Sequence, residues 1–466
     1  MRGTAGAGKT TFALQTIEEL SAVERSFYHS TRVSDMSLMS QFSWLKDKTD
    51  RFERSDSSAS DRHGDETAVK RTGLSDLKGV KNPPMEIAKV GGLAITIGKD
   101  LGELEVLYRG IEKNLPEKSL VVIDSIDALA EKYNFTCSKL LTTIQRDIVE
   151  GYGSNVLFVL ETSSVDLDYL GDGVINFTRT EHNRRRLREL EILKLRGCEI
   201  QQPKYIFTLD GGRIHTFGYQ RASWTRAAPL QWRPIADDNE RVSCGLRDLD
   251  RTLNGGLEKG SITLIELGQG IPTTISSEVE SALVSNFVSL GRGVLWVPLR
   301  KASADSARTK IVRHVPGGEF DRLVRIPEKA DQMTTIGGPH VMPIEGANAF
   351  SDFKWQNIEF SLNTSKHPLL TLMGFDTMQS MYGTDVSDQL MDFLALVRRN
   401  HGIFVAMTPP SSSSTGRIAD LATTHLKLER VGGTVLLYGE EPFTECYTMN
   451  FEEKEVGGDV SLTPIL

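Results

Sequence analysis

The sequence predicts two tandem α/β units, each a mainly parallel β-sheet flanked by helices and closed by a β-hairpin. Three observations carry this. A Gly-rich loop, Gly3-Thr4-Ala5-Gly6-Ala7-Gly8-Lys9-Thr10-Thr11, opens the chain and runs into a helical pattern. An apolar run with an acid at its tip, Leu120-Val121-Val122-Ile123-Asp124, lies downstream. The second half then repeats the order of the first: Gly-rich turn, helix, strand, Asp-tipped strand, strand, hairpin, as an internal duplication would. At 466 residues the chain exceeds what one core holds, since single cores stop growing at about 250–300 residues.

The opening loop fits GxxxxGK[ST] in full. Gly3, Gly6 and Gly8 let the backbone curl so that its N–H groups, with those of Ala7, Lys9, Thr10 and Thr11, form an anion nest. Lys9 supplies a point charge for the β- and γ-phosphates, and the Thr10 hydroxyl is a ligand for Mg²⁺. Ala13, Ile17 and Leu20 make one apolar stripe, so the loop sits on a helix N-terminus where the dipole favours phosphate. Only Met1 and Arg2 precede Gly3, so the strand that normally enters such a loop is expected to be missing.

Ser26 to Ser30 reads as a short strand, followed by a helix from about Asp35. Residues 48–84 are rich in Asp, Ser, Arg, Lys and Gly and end in Pro83-Pro84, which predicts a polar, partly disordered insertion. Leu101 to Leu115 is helical. The run to Asp124 is a buried strand whose carboxylate emerges at the C-terminal edge, the Walker B position that orients the Mg²⁺ water shell. Asn155 to Leu160 is the next strand. Glu161 at its tip is either a polar strand end or a carboxylate facing the γ-phosphate side, the first candidate for a base.

Arg184, Arg185, Arg186 and Arg188 form a basic run, read either as a solvated face or as a docking patch for an acidic partner or a phosphate backbone. Leu190 to Gly197 follows as a strand on which Lys194 and Arg196, two apart, share a face. Tyr205 to Ile214 reads as strand, turn and strand, closing a first domain at 217. Residues 218–242, with Trp224, Pro229, Trp232 and Pro234, read as a packed linker. The second domain, 243–466, has the turn Gly268 to Thr274, which lacks the last glycine and the lysine and has Pro272 near the lysine's place. Proline offers no N–H to a phosphate, so this site is expected to be weak or empty. Asp376 sits where a second Walker B is expected.

A net charge of −8 excludes a protein whose whole surface grips nucleic acid. Four scattered cysteines without a CxxC pair point to a reduced cytoplasmic protein without a zinc site. No run approaches the roughly 18 apolar residues of a membrane span.

On these passages the chain resembles the RecA superfamily, and within it the KaiC-like branch of tandem RecA-like domains. Gly245 to Thr274 resembles that family's domain opening, Val122-Ile123-Asp124-Ser125 its Walker B, and Lys194-Leu195-Arg196-Gly197 its Lys-x-Arg-Gly strand. Within the branch it is most similar to the archaeal gas-vesicle regulators of the GvpD family, through the near-terminal loop, Ser30-Thr31-Arg32-Val33-Ser34 and the arginine-rich segment. The resemblance implies Mg·ATP as cofactor, a protein partner such as a transcriptional activator, a possible homo-oligomer, and Lys194 and Arg196 reaching a neighbour's nucleotide in trans. KaiC-like ATPases carry paired glutamates where Arg32 and Val33 stand here. Lys9, Asp124 and Glu161 are then left as the catalytic candidates, and slow hydrolysis or none is expected. The implied function is a nucleotide-dependent regulatory switch. An oligomeric ATPase is the alternative, and a recombinase-like protein on single-stranded DNA is a third reading that the acidic charge opposes.

Overall fold

The computed structural model describes residues 1–20, 24–31, 35–44, 52–54, 86–90, 93–97, 102–162, 165–219, 232–238, 240–299, 302–329, 338–452 and 459–466. Two compact units emerge. The first comprises Met1–His182, Arg186–Thr216 and Leu466, and the second Asn183–Arg185 and Phe217–Ile465.

The first unit contains β1 (Arg2–Gly3), α1 (Lys9–Leu20), β2 (Arg25–Ser30), α2 (Asp35–Gln41), β3 (Phe52–Arg54), the hairpin β4 (Glu86–Val90) and β5 (Leu93–Ile97), and α3 (Gly102–Asn114). It continues through β6 (Ser119–Asp124), α4 (Ile126–Lys132), α5 (Cys137–Ile144), β7 (Asn155–Val159), β8 (Gly173–His182), β9 (Arg185–Leu195), β10 (Lys204–Thr208) and β11 (His215–Phe217). Strands β3-β2-β6-β7 form a parallel sheet, with Ser30 opposite Asp124 and Asp124 opposite Val159. A second sheet runs β1-β8-β9-β10-β11.

Two-residue alternation along β6 explains the layers. Leu120 and Val122 pack with Ala13, Leu14 and Ile17 of α1 on one face. Val121 and Ile123 pack with Leu107 and Ile111 of α3 and with Leu129 and Leu140 on the other. Both faces are covered by helices, so every residue of the strand is buried. Each such aliphatic side chain contributes roughly 1.5–3 kcal/mol by leaving water.

The place expected to lack a strand is held by the two residues of β1. Arg2 and Gly3 pair in parallel with Asn176 and Phe177 of β8. On the other side Leu160 donates its N–H to the Met1 carbonyl (2.9 Å), and Gly3 donates to Thr162 (3.2 Å). Gly3 has φ +144°, and a Cβ there would lie 2.2 Å from the Phe177 carbonyl oxygen, so only glycine fits. Phe52–Arg54, inside the stretch read as an insertion, forms the edge strand β3; the remainder of 48–84 lies outside the described residues. The segment Gly173–His182 has little apolar alternation and gives no strand signal in the sequence, yet it forms β8.

The second unit contains β12 (Arg241–Val242), α6 (Arg247–Thr252), β13 (Leu257–Glu258), β14 (Ile262–Leu267), α7 (Thr273–Ser289), β15 (Arg292–Val297), β16 (Val324–Lys329), β17 (Val341–Ile344), β18 (Lys366–Gly374), β19 (Ile403–Thr408), β20 (Thr424–Val431), β21 (Thr434–Glu441), β22 (Tyr447–Glu452) and β23 (Asp459–Pro464). Its sheet runs β17-β16-β15-β18-β19-β14-β20-β21-β22-β23, parallel up to β20 and antiparallel after it. The strand entering the Gly-rich turn, β14, lies between β19 and β20. That is the place β1 holds between the end of β7 and β8, and the shared order is what a duplicated RecA-like unit requires. Of the residues read as linker, 220–231 and 239 fall outside the described set. Trp232 and Ile235 pack on Asn286, whose Oδ1 accepts from Trp232 Nε1 (3.3 Å) and Ile235 N (2.8 Å).

Candidate nucleotide site of the first unit

The loop between β1 and α1 brings the sequence-predicted residues together. Lys9 is buried at the first position of α1, and its ammonium donates to the carbonyls of Gly3 and Thr4 (both 2.8 Å). The Thr10 hydroxyl donates to Asp124 Oδ2 at 2.7 Å. Asp124 ends β6, next to α1, because the parallel register carries its strand tip to the C-terminal edge of the sheet.

Three residues that the sequence reading did not single out hold this pair in place. The buried Tyr28 hydroxyl also donates to Asp124 Oδ2, at 3.1 Å. Tyr28 lies opposite Val122, so it shares a face of the sheet with Asp124, a diagonal neighbour within reach of a long side chain. Thr31 donates its N–H to the Asp124 carbonyl (2.8 Å), and its Oγ1 accepts from Ser125 N (3.0 Å). Asp127, in the first turn of α4, accepts from the Glu161 N–H at 2.6 Å and so fixes the tip of β7 beside Asp124. Only the strand register reveals these contacts; nothing in the local sequence marks them.

Burial pushes the Asp124 carboxyl above its ordinary range. The hydrogen bonds from Thr10 and Tyr28 pull the other way, Glu161 adds to the rise, and Lys9 opposes it. Glu161 is therefore close enough for its charge to be felt at Asp124. Arg32 and Val33 lie outside the described residues.

The second unit departs from this arrangement. Pro272 is the residue before α7 and offers its carbonyl to Ile275 N (3.0 Å), with no lysine in the turn. The strand-tip place that Asp124 holds in the first unit falls here to Gly374, opposite Met407. A Cβ on Gly374 would lie 2.8 Å from Leu299 N, which leaves no room for a carboxylate. Asp376, expected as a second Walker B, sits instead in the first turn of the next helix, accepting from Thr377 N.

Residues 1–194 match the family profile of the GvpD gas vesicle protein, P-loop domain, and residues 231–466 match the profile of GvpD basic region 2. The chain belongs to the GvpD family. Protein GvpD2 of Halobacterium salinarum is 25% identical over 494 residues, covering 100% of this chain and 93% of the relative. Protein GvpD1 of the same organism is 24% identical over 430 residues, covering 80% and 76%. The circadian clock oscillator protein KaiC of Thermostichus vulcanus is 29% identical over 187 residues, which is 37% of this chain and 32% of that protein. No helix among the described residues is long and apolar enough to cross a membrane.

In this GvpD-family chain the four arginines of the basic run do not form one patch. Only Arg184 and Arg186 are exposed. Arg185, 1% exposed, belongs to the second unit, where its guanidinium lies 4.4 Å from the Tyr438 ring centre and 4.0 Å from that of Phe443. It also donates to the carbonyls of Thr444 (2.6 Å) and Asn183 (2.7 Å) and to that of Gly439. Arg188, 8% exposed, points into the first unit, where its Nη1 donates to the Gly6 carbonyl at 2.9 Å. Successive residues of a strand face opposite ways, and this divides the run.

Lys194 and Arg196 are not at their own loop. Arg196 donates its N–H to the Asp172 carbonyl (2.8 Å), so the C-terminal end of β9 lies beside the start of β8, at the edge of the sheet away from the loop. There Lys194 Nζ donates to the carbonyls of Asp168 (3.4 Å) and Tyr169 (3.3 Å), and Arg196 pairs with Asp172 at 2.8 Å.

Proposed function

We propose that this chain is an ATP-binding regulatory switch, with the nucleotide in the first unit alone. The observation that carries the reading is the contact between Thr10 Oγ1 and Asp124 Oδ2 beside a buried Lys9. A hydroxyl and a carboxylate already joined at the end of a Gly-rich loop are the two protein groups that Mg²⁺ and its waters use in P-loop proteins. Gly3, Gly6, Ala7, Gly8, Lys9, Thr10 and Thr11 would hold the phosphates, and Mg²⁺ would supply charge neutralisation between them. Residues 1–217 form the nucleotide domain in this reading, 218–242 the connection, and 243–466 a degenerate copy.

Family membership supports regulation of gas-vesicle genes through a protein partner, with a transcriptional activator as the candidate and the exposed Arg184 and Arg186 as its contact. Lys194 and the exposed Arg196, at the edge away from their own loop, support a second reading in which copies assemble and hydrolyse ATP in trans, with Glu161 as base. The test has two parts. A fluorescent ATP analogue should bind the full chain with Mg²⁺ and lose binding in Lys9→Ala. Capture of the partner should then change between ATP and no nucleotide. Wild-type protein that binds no ATP, or partner capture that ignores it, overturns the switch.

A further inference from the structure

Beside the loop, on the side of β8 and β9, stands a group of arginines that the reading above leaves without a role at the nucleotide. Strand β8 runs parallel to β1 with Phe177 opposite Gly3, so two residues later Arg179 comes alongside the loop. A Cβ placed on Gly6 would meet Arg179 Nη1 at 3.4 Å. The chain turns, and β9 brings back Arg188, whose Nη1 donates to the Gly6 carbonyl at 2.9 Å while its Nε donates to the main-chain oxygen of Leu466. Arg186 is near enough for its charge, with that of Arg179, to depress the Arg188 guanidinium, after burial as the first cause.

Two cations thus stand at the loop, and the charge of a third, Arg186, is felt at Arg188. Among the described residues no Asp or Glu carboxylate pairs with Arg179, Arg186 or Arg188, and at Arg188 Nε the acceptor is the main-chain oxygen of Leu466, the last residue of the chain. The other arginines of the same segment all have acids: Arg184 and Arg185 face Glu440, and Arg196 faces Asp172. A buried guanidinium with like charges beside it favours an anion close by. The N–H groups of the loop add partial positive charge on the same side. A planar fork of five donors suits a phosphate oxygen pair, and Arg188 Nη2 and all donors of Arg179 lack protein partners among the described residues.

We propose that Arg179 and Arg188 form a cis arginine site for the terminal phosphates of the nucleotide held at the first loop. The proposal rests on the nucleotide-binding reading above and adds to it a reason for discrimination by charge. Arg188 stays on the Gly6 carbonyl and sets the loop, while Arg179, exposed, moves onto the polyphosphate. Each phosphate removed from the ligand takes away charge that these guanidiniums neutralise. The site therefore separates ATP from ADP without any partner subunit, unlike a residue acting in trans.

The test is equilibrium binding of fluorescent ATP, ADP and AMP analogues to full-length wild type, Lys9→Ala, Arg179→Ala and Arg188→Lys, each followed at two salt concentrations and checked by thermal melting. Wild type is expected to prefer ATP over ADP. Arg179→Ala should cut that preference about tenfold with an unchanged melting temperature and a shallower salt dependence, and Arg188→Lys, which keeps the charge and loses the fork, should cut it less. A purely structural role would instead weaken all three ligands alike and lower the melting temperature, and that outcome overturns the proposal. If wild type binds ATP, Lys9→Ala does not, and both arginine variants keep the wild-type ATP-to-ADP ratio, the arginine site is wrong while the loop stands. If wild type binds neither nucleotide, the loop assignment fails and this site fails with it.

Discussion

Thr10 and Asp124, 114 positions apart in sequence, are joined by a hydrogen bond of 2.7 Å from the threonine hydroxyl to Oδ2 of the carboxylate. The same oxygen accepts from Tyr28. Two donors on one oxygen keep the carboxylate usable as an anion against the upward push of burial. Tyr28→Phe removes one donor, so the Asp124 carboxyl rises further, and the Mg²⁺ dependence of ATP binding should appear only at higher pH than in wild type. Asp124→Asn should abolish that dependence at every pH. Titrating ATP binding with and without Mg²⁺ from about pH 5 to 8 checks both, and superimposable profiles for wild type and Tyr28→Phe would remove Tyr28 from the site.

The Gly-rich turn of the second unit should contribute no nucleotide affinity. Thr273→Ala is expected to leave binding of a fluorescent ATP analogue unchanged, because Pro272 replaces an N–H donor, the lysine is lacking, and Gly374 takes the strand-tip place. Equal loss in Thr273→Ala and Lys9→Ala would show two working sites.

Arg185 and Arg184 should behave oppositely although they are adjacent. Arg185→Ala strips a buried guanidinium from two aromatic rings and three carbonyls and should cost about 2–4 kcal/mol of stability. Arg184→Ala removes an exposed pairing with Glu440 and should stay within about 0.5 kcal/mol. Urea melts of the two variants decide this.

Glu280 gives the second unit a pH-dependent weakness. The residue is 3% exposed on α7, and burial lifts its carboxyl from 4.5 to about 7, against hydrogen bonds from Trp296 Nε1 and Leu299 N. The native state then holds a proton that the unfolded state has released, so stability falls as pH rises from about 4.5 to about 7 and stays low above. Glu280→Gln should flatten this slope and stabilise the protein at pH 8 by up to a few kcal/mol, read from chemical denaturation at pH 5 and pH 8. A wild-type curve that is flat over that window, or a variant with the same slope, would contradict it.

The sequence by itself determined the chemistry with local causes. The Gly-Lys-Thr loop, the helix behind it and the uninterrupted apolar run to Asp124 follow from glycine freedom, helix periodicity and the burial of a central parallel strand, all readable within a few residues. The repeat of that order, and Pro272 in place of a phosphate-binding N–H, were legible for the same reason. Tertiary structure decided everything that depends on register between distant strands. It put Tyr28 on Asp124, and Asp127 on the tip of β7. It gave Gly374 the place expected for Asp376, because the strand ends two residues before that acid. It also divided the arginine run, sending Arg185 between aromatic rings and Arg188 onto Gly6. A strand alternates its side chains with period two, but which face meets which neighbour is fixed only when the neighbour arrives, and that neighbour is tens to hundreds of residues away in the chain.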